Sequence, residues 1–394
     1  MTTTPVIDAD AHVTEPRDVW SSRLPKRYVD AGPTMVRDDD GRDLWTMGGK
    51  SLGTVGMNAV AGWPDFPPGQ PSTLEQCHPA AYDAGQRLAY MDEARIWAQV
   101  LYPNVAGFGS QHFLDAGDEA LKLLCVAAYN DFLAEWCSAD PTRLLGVMAT
   151  PFWDIDATVA EIERGAELGL RGILFTGEPQ RFGLPTLGSA HWDPLYRVAA
   201  EAGLPIHFHI GGGEDDLKQL VNQERQEAHG YAGTQTYAAC LLFLKNGIQC
   251  ADLISCGALN RHPETRFVSV ESGAGWVPFM LEAADFSYLG ATRKERRRGD
   301  EILPSELFAR QVYVTYWFEK ATPTYLLDAL PVDNVLFETD FPHTACLYQN
   351  IQETIENGLA NAPEDIRRKF LWQNSANLYG IPHAPADWLA GTEA

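Results

Sequence analysis

The sequence of 394 residues has few positive charges: 30 lysines and arginines stand against 53 aspartates and glutamates, a formal net charge of −23. Nucleic-acid-binding proteins neutralise phosphates with a basic surface, so this balance argues against a nucleic-acid partner. The 7 cysteines are scattered and include no Cys-x-x-Cys pair, which is typical of a protein that keeps its thiols reduced.

Segments that would direct the chain to a membrane are also lacking. The first residues, Met1 to Thr4, contain neither the positive charge nor the apolar stretch of a secretory signal. We find no run of about 18 apolar residues, the length needed to cross a bilayer. We therefore expect a cytoplasmic protein without a membrane partner.

Short apolar runs alternate with helical patterns along most of the chain. The runs that predict strands lie at residues 5–12, 98–102, 144–149, 171–175, 204–209, 266–270, 312–316 and 334–338. Eight strands separated by helices favour a distorted (β/α)8 TIM-like barrel, formed by residues 1–394 as a single α/β domain. An open doubly wound sheet is the alternative, but no Gly-x-Gly-x-x-Gly motif follows the first strand.

Two stretches do not follow this alternation and are interpreted as insertions. In the first, at about residues 17–84, Asp38-Asp39-Asp40-Gly41 predicts the turn of a β-hairpin between Met35 and Leu52. The second, at about residues 211–263, contains one or two helices. The size of these insertions would suit a homodimer.

Residues that can bind metal ions occur at the ends of four predicted strands. Asp8, Asp10 and His12 alternate along the first strand and should share one face. The other strand ends carry His207 and His209, Glu271, and Asp340 with His343. Because the carboxyl ends of barrel strands meet at one mouth, this pattern predicts a metal site there.

These motifs resemble those of the amidohydrolase-related family that includes aminocarboxymuconate-semialdehyde decarboxylase, which is built on a distorted (β/α)8 barrel. The resemblance spans nearly the whole chain and depends on residues 10–12, 205–209, 261–263 and 338–342. It implies that His12, His209 and Asp340 bind a metal ion, with Asp10 in place of the first histidine or glutamate of the family.

The sequence departs from the family at the end of the sixth barrel strand, where Glu271 stands in place of a histidine. The resulting surplus of carboxylates would suit two metal ions, and carboxylate with imidazole suits iron, manganese or zinc. We therefore expect Asp10, His12, His207, His209, Glu271 and Asp340 as metal ligands, and Asp340, Glu271 and His343 as catalytic residues. His207 has an equally good alternative, which is a place one layer deeper inside the barrel.

Two reactions are compatible with such a site. The first hypothesis is a non-haem dinuclear iron monooxygenase, as the resemblance extends to an enzyme of this kind from bacterial diterpenoid biosynthesis. It would hydroxylate a bulky apolar substrate with electrons from an external donor. Five cations within residues 293–298 would suit the phosphates of an acyl-coenzyme A substrate. The second hypothesis is a metal-dependent hydrolase or non-oxidative decarboxylase, with zinc or manganese and with Asp340 as the base.

Overall fold

The computed structural model describes residues 5–213, 220–291, 302–382 and 384. Its strands, in chain order, are β1 (Val6–His12), β2 (Thr34–Arg37), β3 (Asp43–Met47), β4 (Lys50–Thr54), β5 (Ile96–Tyr102), β6 (Leu144–Met148), β7 (Gly172–Leu174), β8 (Ile206–His209), β9 (Phe267–Val270), β10 (Val312–Tyr316) and β11 (Val335–Phe337). The predicted strands are all found, within a few residues at each end.

Eight of these strands form one parallel sheet in the order β1-β5-β6-β7-β8-β9-β10-β11. The sheet nearly closes on itself because β1 also meets the segment that follows β11. There the amide of Asp340 donates to the carbonyl of Asp10 (2.8 Å), and that of His12 donates to Phe341 (2.7 Å). The predicted (β/α)8 barrel is therefore confirmed.

Helices cover the outside of the barrel. They are α1 (Ala84–Ala94), α2 (Glu119–Cys137), α3 (Ile155–Glu167), α4 (Asp193–Ala202), α5 (Gln223–Ser255), α6 (Ala258–Arg261), α7 (Val277–Ala291), α8 (Pro304–Gln311), α9 (Ala321–Tyr325), α10 (Ile351–Gly358), α11 (Glu364–Arg368) and α12 (Asn374–Tyr379). Because both faces of the sheet are buried, strands such as β5 and β6 consist of buried residues throughout.

The insertion after β1 contains a second, antiparallel sheet in the order β2-β3-β4. The predicted turn is present: Asp38 Oδ1 accepts from the amides of Asp40 (3.0 Å) and Arg42 (2.8 Å). The prediction of a single hairpin was incomplete, since Gly48 and Gly49 make a second turn. Both have positive φ angles, 57° and 80°, which glycine adopts without strain and which suit a tight hairpin turn.

The second insertion contains α5, which follows β8 and breaks at Gly230, where φ is 69° and ψ is 175°. By length and composition alone α5 could cross a membrane. It instead packs on the barrel, where Asn246 Nδ2 donates to the carbonyls of Phe208 (2.9 Å) and Val270 (3.0 Å) at the ends of two strands. The basic run at 293–298 lies outside the described residues.

Candidate metal centre

Side chains from four strand ends meet at the carboxyl end of the barrel. Asp10 and His12 are at the end of β1, His209 ends β8, Glu271 follows β9, and Asp340 follows β11. Ligand atoms of Asp10, His12 and His209 lie within 4.8 Å of one another, as do those of Asp10, Glu271 and Asp340. The structure therefore brings together five of the six residues predicted as metal ligands.

The two imidazoles of this cluster face each other through their Nε2 atoms, which are 3.2 Å apart. His12 Nδ1 lies 3.2 Å from the carbonyl of Pro103, and His209 Nδ1 lies 2.8 Å from that of Ile210. Since a carbonyl only accepts, each Nδ1 carries a proton. In the neutral rings both Nε2 lone pairs then point into the space between them, which is the arrangement of two histidines that bind one metal ion.

Carboxylate oxygens surround the same space. His12 Nε2 lies 3.4 Å from Asp10 Oδ1 and 3.5 Å from Asp340 Oδ1, and His209 Nε2 lies 3.5 Å from Asp10 Oδ2. Both aspartates are fully buried, yet none of their four carboxylate oxygens accepts a hydrogen bond within the described part of the chain. Buried carboxylates are costly unless they are paired or bind a metal, so this donor set fits a divalent cation.

The electrostatics of the cluster lead to the same conclusion. Burial raises the pKa of Asp340 well above its usual range, and the neighbouring charges of Glu271 and Asp10 raise it further. Burial also raises the pKa of Glu271 to about 8. For Asp10, burial disfavours the ionised form, but His209 and His12 together hold its pKa below the usual range. The cluster thus contains several acids and little positive charge, and a bound metal ion would supply the missing positive charge.

Two of these acids have an unusual backbone conformation. Glu271 and Asp340 have φ angles of 57° and 56°, in the left-handed region that non-glycine residues seldom adopt. Such strain persists only where the surrounding contacts impose it, and it is concentrated at functional sites. At Asp340 the contacts include Asp8, whose Oδ1 accepts from the amide of the preceding Thr339 (2.7 Å).

His343 extends the cluster toward the loop after β5. Its ring stacks on that of His12 with centroids 3.7 Å apart. Its Nδ1 lies 2.9 Å from Asp340 Oδ1, and its Nε2 lies 2.7 Å from Asn104 Oδ1. The amide of Asn104 also donates through Nδ2 to the carbonyl of Val13 (3.0 Å), which turns its oxygen toward His343. His343 Nε2 therefore carries a proton, and a further proton or a cation must separate Nδ1 from the Asp340 carboxylate.

The structure does not bring His207 into the cluster. Its Nε2 is hydrogen-bonded to the hydroxyl of Tyr379 (2.9 Å), and burial lowers its pKa to about 3. Its ring occupies the space left by Gly172, where a Cβ atom would lie 2.3 Å from the imidazole Cε1. Of the two alternatives for His207, the structure favours the deeper layer of the barrel interior.

Asp8 also lies apart from the cluster, contrary to the prediction that it shares a face with Asp10 and His12. The pairing of β1 with β5 shifts register between Asp8 and Ala11, so strict alternation does not hold there. Asp8 Oδ2 instead accepts from Gln99 Nε2 (2.8 Å) and the Thr339 hydroxyl (2.6 Å).

Sequence reasoning also missed Asn104 and gave no role to Glu338. Asn104 follows β5 and contacts His343, and Glu338 follows β11 and accepts from the amide of Glu271 (3.2 Å). Both positions lie no more than two residues after the end of a barrel strand, so the strand-end argument that found the other residues could have found these two.

Comparison with known proteins agrees with this architecture. A sequence profile described as amidohydrolase matches residues 7–381. A gamma-resorcylate decarboxylase of a Polaromonas species is 26% identical over 309 residues, which span 75% of this chain and 87% of the relative.

Two solved structures share the fold at low sequence identity. An amidohydrolase of Mycobacterium avium subsp. paratuberculosis has a TM-score of 0.76 and 22% identity, over 96% of this chain and 100% of its own. A 5-carboxyvanillate decarboxylase of Novosphingobium aromaticivorans, solved with bound manganese, has a TM-score of 0.65 and 18% identity, over 96% of this chain and 97% of its own. With its barrel, the cluster at the barrel mouth and the match over residues 7–381, this chain belongs to the amidohydrolase family of enzymes.

Proposed function

We propose that this protein is a divalent-metal-dependent decarboxylase that removes CO2 from an aromatic carboxylic acid without an oxidant. The observation that carries the proposal is the position of two fully buried carboxylates, Asp10 and Asp340, beside the facing Nε2 atoms of His12 and His209. The class of reaction is suggested by the relative that is 26% identical, a gamma-resorcylate decarboxylase. This is the second of the two reactions that the sequence allows.

Asp10, His12, His209 and Asp340 would hold the metal ion, and Glu271 is a further carboxylate of the same cluster. Mixed carboxylate and imidazole ligands suit manganese, zinc or iron, and manganese is present in the structure of the related 5-carboxyvanillate decarboxylase. When bound, the ion would supply a Lewis acid that fixes the acidic substrate and stabilises negative charge.

Asp340 and His343 form the pair that would transfer the proton, because His343 Nδ1 lies 2.9 Å from Asp340 Oδ1. In the proposed reaction this pair gives a proton to the ring carbon that bears the carboxylate. The bond between that carbon and the carboxylate breaks, its electron pair restores the aromatic ring, and CO2 leaves. No electron donor is needed, and solvent returns the proton to the pair.

Phe108 would contact the aromatic ring of the substrate. Its own ring is partly exposed and stacks on His209, with centroids 4.5 Å apart and planes at 25°, and it meets the edge of His12 at 5.3 Å. An apolar ring next to the candidate metal ligands favours a flat substrate, since offset aromatic pairs gain about 0.5–1.5 kcal/mol beyond their burial.

The proposal is tested by loading the metal-free protein with manganese or zinc and supplying hydroxylated benzoic acids with and without dioxygen. We expect equal rates of CO2 release under both conditions, with one phenol formed for each CO2. Asp340→Asn should abolish turnover, while a substitution of the exposed Asp18, such as Asp18→Asn, should leave it unchanged. If no acid of the panel releases CO2 from the fully loaded protein, the proposal is wrong.

A dinuclear iron monooxygenase is the second candidate, and the number of acids favours it. Beyond the four proposed ligands, Glu271 and His343 belong to overlapping groups whose ligand atoms lie within 4.8 Å of one another. This is a larger donor set than one ion requires. Two irons per chain, together with substrate turnover that depends on dioxygen and an external reductant, would establish this candidate and exclude the decarboxylase.

A further inference from the structure

We propose that Glu15 is a positioning residue that sets the orientation and the protonated nitrogen of both His12 and His343. It does so by holding the first residues after β5, Pro103 to Val105, which we call the ring-orienting segment. No ligand role or catalytic role falls to Glu15 itself. Its effect would be transmitted through backbone hydrogen bonds.

The contact between Glu15 and this segment is buried and specific. Glu15 is 1% exposed, and its Oε1 accepts from the consecutive amides of Asn104 and Val105, each at 2.9 Å. Two amides that converge on one carboxylate oxygen fix the direction of the two peptide planes that carry them. The segment is thereby tied to the loop after β1, although about ninety residues separate the two.

The segment in turn contacts two imidazoles of the cluster. The carbonyl of Pro103 lies 3.2 Å from His12 Nδ1, and Oδ1 of Asn104 lies 2.7 Å from His343 Nε2. Each contact selects the nitrogen that carries the proton and leaves the other nitrogen of the same ring facing the cluster. Without Glu15 the segment could turn, and both rings would lose the acceptor that selects their tautomer.

The structure offers a matched control for a simple loss of stability. Glu319 is a partly buried glutamate whose Oε1 likewise accepts from two consecutive amides, those of Ala274 (2.9 Å) and Gly275 (3.0 Å), just before α7. A substitution there should destabilise the protein to a similar degree. It leaves the contacts of His12 and His343 in place.

The test measures the ring nitrogens directly in the zinc-loaded full chain by 15N NMR of labelled histidines, with signals assigned through substitutions of His12 and His343. For Glu15→Ala we expect the His343 ring to change from a single tautomer to a mixture. The tautomer of His12 is kept by zinc at Nε2, so for that ring we expect a shifted Nδ1 signal, because its proton loses the ordered acceptor. Zinc affinity should fall by about 10–100-fold, as is usual when a residue that orients a metal ligand is lost. Glu15→Gln keeps an oxygen that can accept from both amides and should restore both signals.

Two further variants distinguish a loss of ring orientation from a general loss of stability. Asn104→Ala should alter the His343 signals and leave those of His12 unchanged, and Glu319→Ala should lower the Tm without altering either ring. Wild-type ring signals and zinc affinity in folded Glu15→Ala would refute the proposal. If Glu15→Ala does not fold, unchanged His343 signals in Asn104→Ala would refute it.

The role of Glu15 rests on the proposed function only through the metal site that the two share. The ring signals and zinc affinity are measured without substrate, so failure of every candidate acid would refute the decarboxylase and leave the role of Glu15 intact.

Discussion

Substitution of Asp8 by asparagine tests whether the cluster depends on the network beneath it. The Asp8 carboxylate is fully buried and accepts four hydrogen bonds: from the amides of Thr339 (2.7 Å) and Asp10 (3.2 Å), from the Thr339 hydroxyl (2.6 Å), and from Gln99 Nε2 (2.8 Å). All four atoms donate. Asparagine has the same shape but must replace one oxygen with an NH2 group, so one side of the network would have donors facing donors.

Neither orientation of the new amide relieves this conflict. An NH2 group in place of Oδ2 faces Gln99 Nε2, and Gln99 cannot turn because its Oε1 already accepts from Arg87 Nη1 (3.1 Å). An NH2 group in place of Oδ1 faces the backbone amides of Thr339 and Asp10. A buried donor without an acceptor costs about 1–3 kcal/mol. Burial raises the pKa of Asp8 to about 7, so at a higher pH the loss of the ionised acceptor brings the total to about 2–4 kcal/mol. For a chain of this length, that corresponds to a fall in Tm of about 2–5 °C.

The same substitution should also weaken metal binding, because Asp8 holds the amide of Thr339 next to the strained backbone of Asp340. Thermal unfolding in the presence of a chelator measures the change in Tm, and titration of the metal-free protein with manganese measures the affinity for the metal. Asp18→Asn, at an exposed position, is the control and should leave both unchanged. An Asp8→Asn protein with the Tm and manganese affinity of the wild type would refute the reasoning.

Four further substitutions separate the cluster from its surroundings. His209→Ala should lose the bound metal after purification, whereas His207→Phe should keep it and lose only the bond to Tyr379, about 1 kcal/mol; elemental analysis and thermal unfolding measure the two effects. Gly172→Ala should destabilise the barrel by about 1–3 kcal/mol because its Cβ would meet the His207 ring, and unfolding in urea measures this. Phe108→Leu should raise KM for an aromatic acid by about 2–10-fold with a smaller change in kcat, by steady-state kinetics. An unchanged free energy of unfolding in Gly172→Ala, retained metal in His209→Ala or an unchanged KM in Phe108→Leu would contradict the respective argument.

The two histidines of β8 show what a sequence pattern can and cannot predict about a site. His207 and His209 are two residues apart and both point into the barrel, so alternation cannot distinguish them. Two residues of a strand span about 6–7 Å, which is the depth of one layer of side chains. Only the partners differ: His207 contacts Tyr379 of α12, and His209 contacts His12 of β1.

The sequence by itself determined the barrel and most of the cluster. Strands and helices alternate in a pattern that predicts parallel pairing, and parallel pairing places Asp10, His12, His209 and Asp340 at one mouth wherever they follow their strands. This inference needs only local periodicity and the common direction of the strands. It was therefore correct before any contact between the strands was known.

Only the tertiary structure decided how these side chains are held and charged. Asp8 contacts Thr339 across 331 positions of sequence, and Glu15 contacts Asn104 across 89. The left-handed backbone of Asp340 and the proton on His343 Nε2 depend on such contacts. No periodicity encodes them, because a hydrogen bond between distant segments requires both segments to be folded and in register.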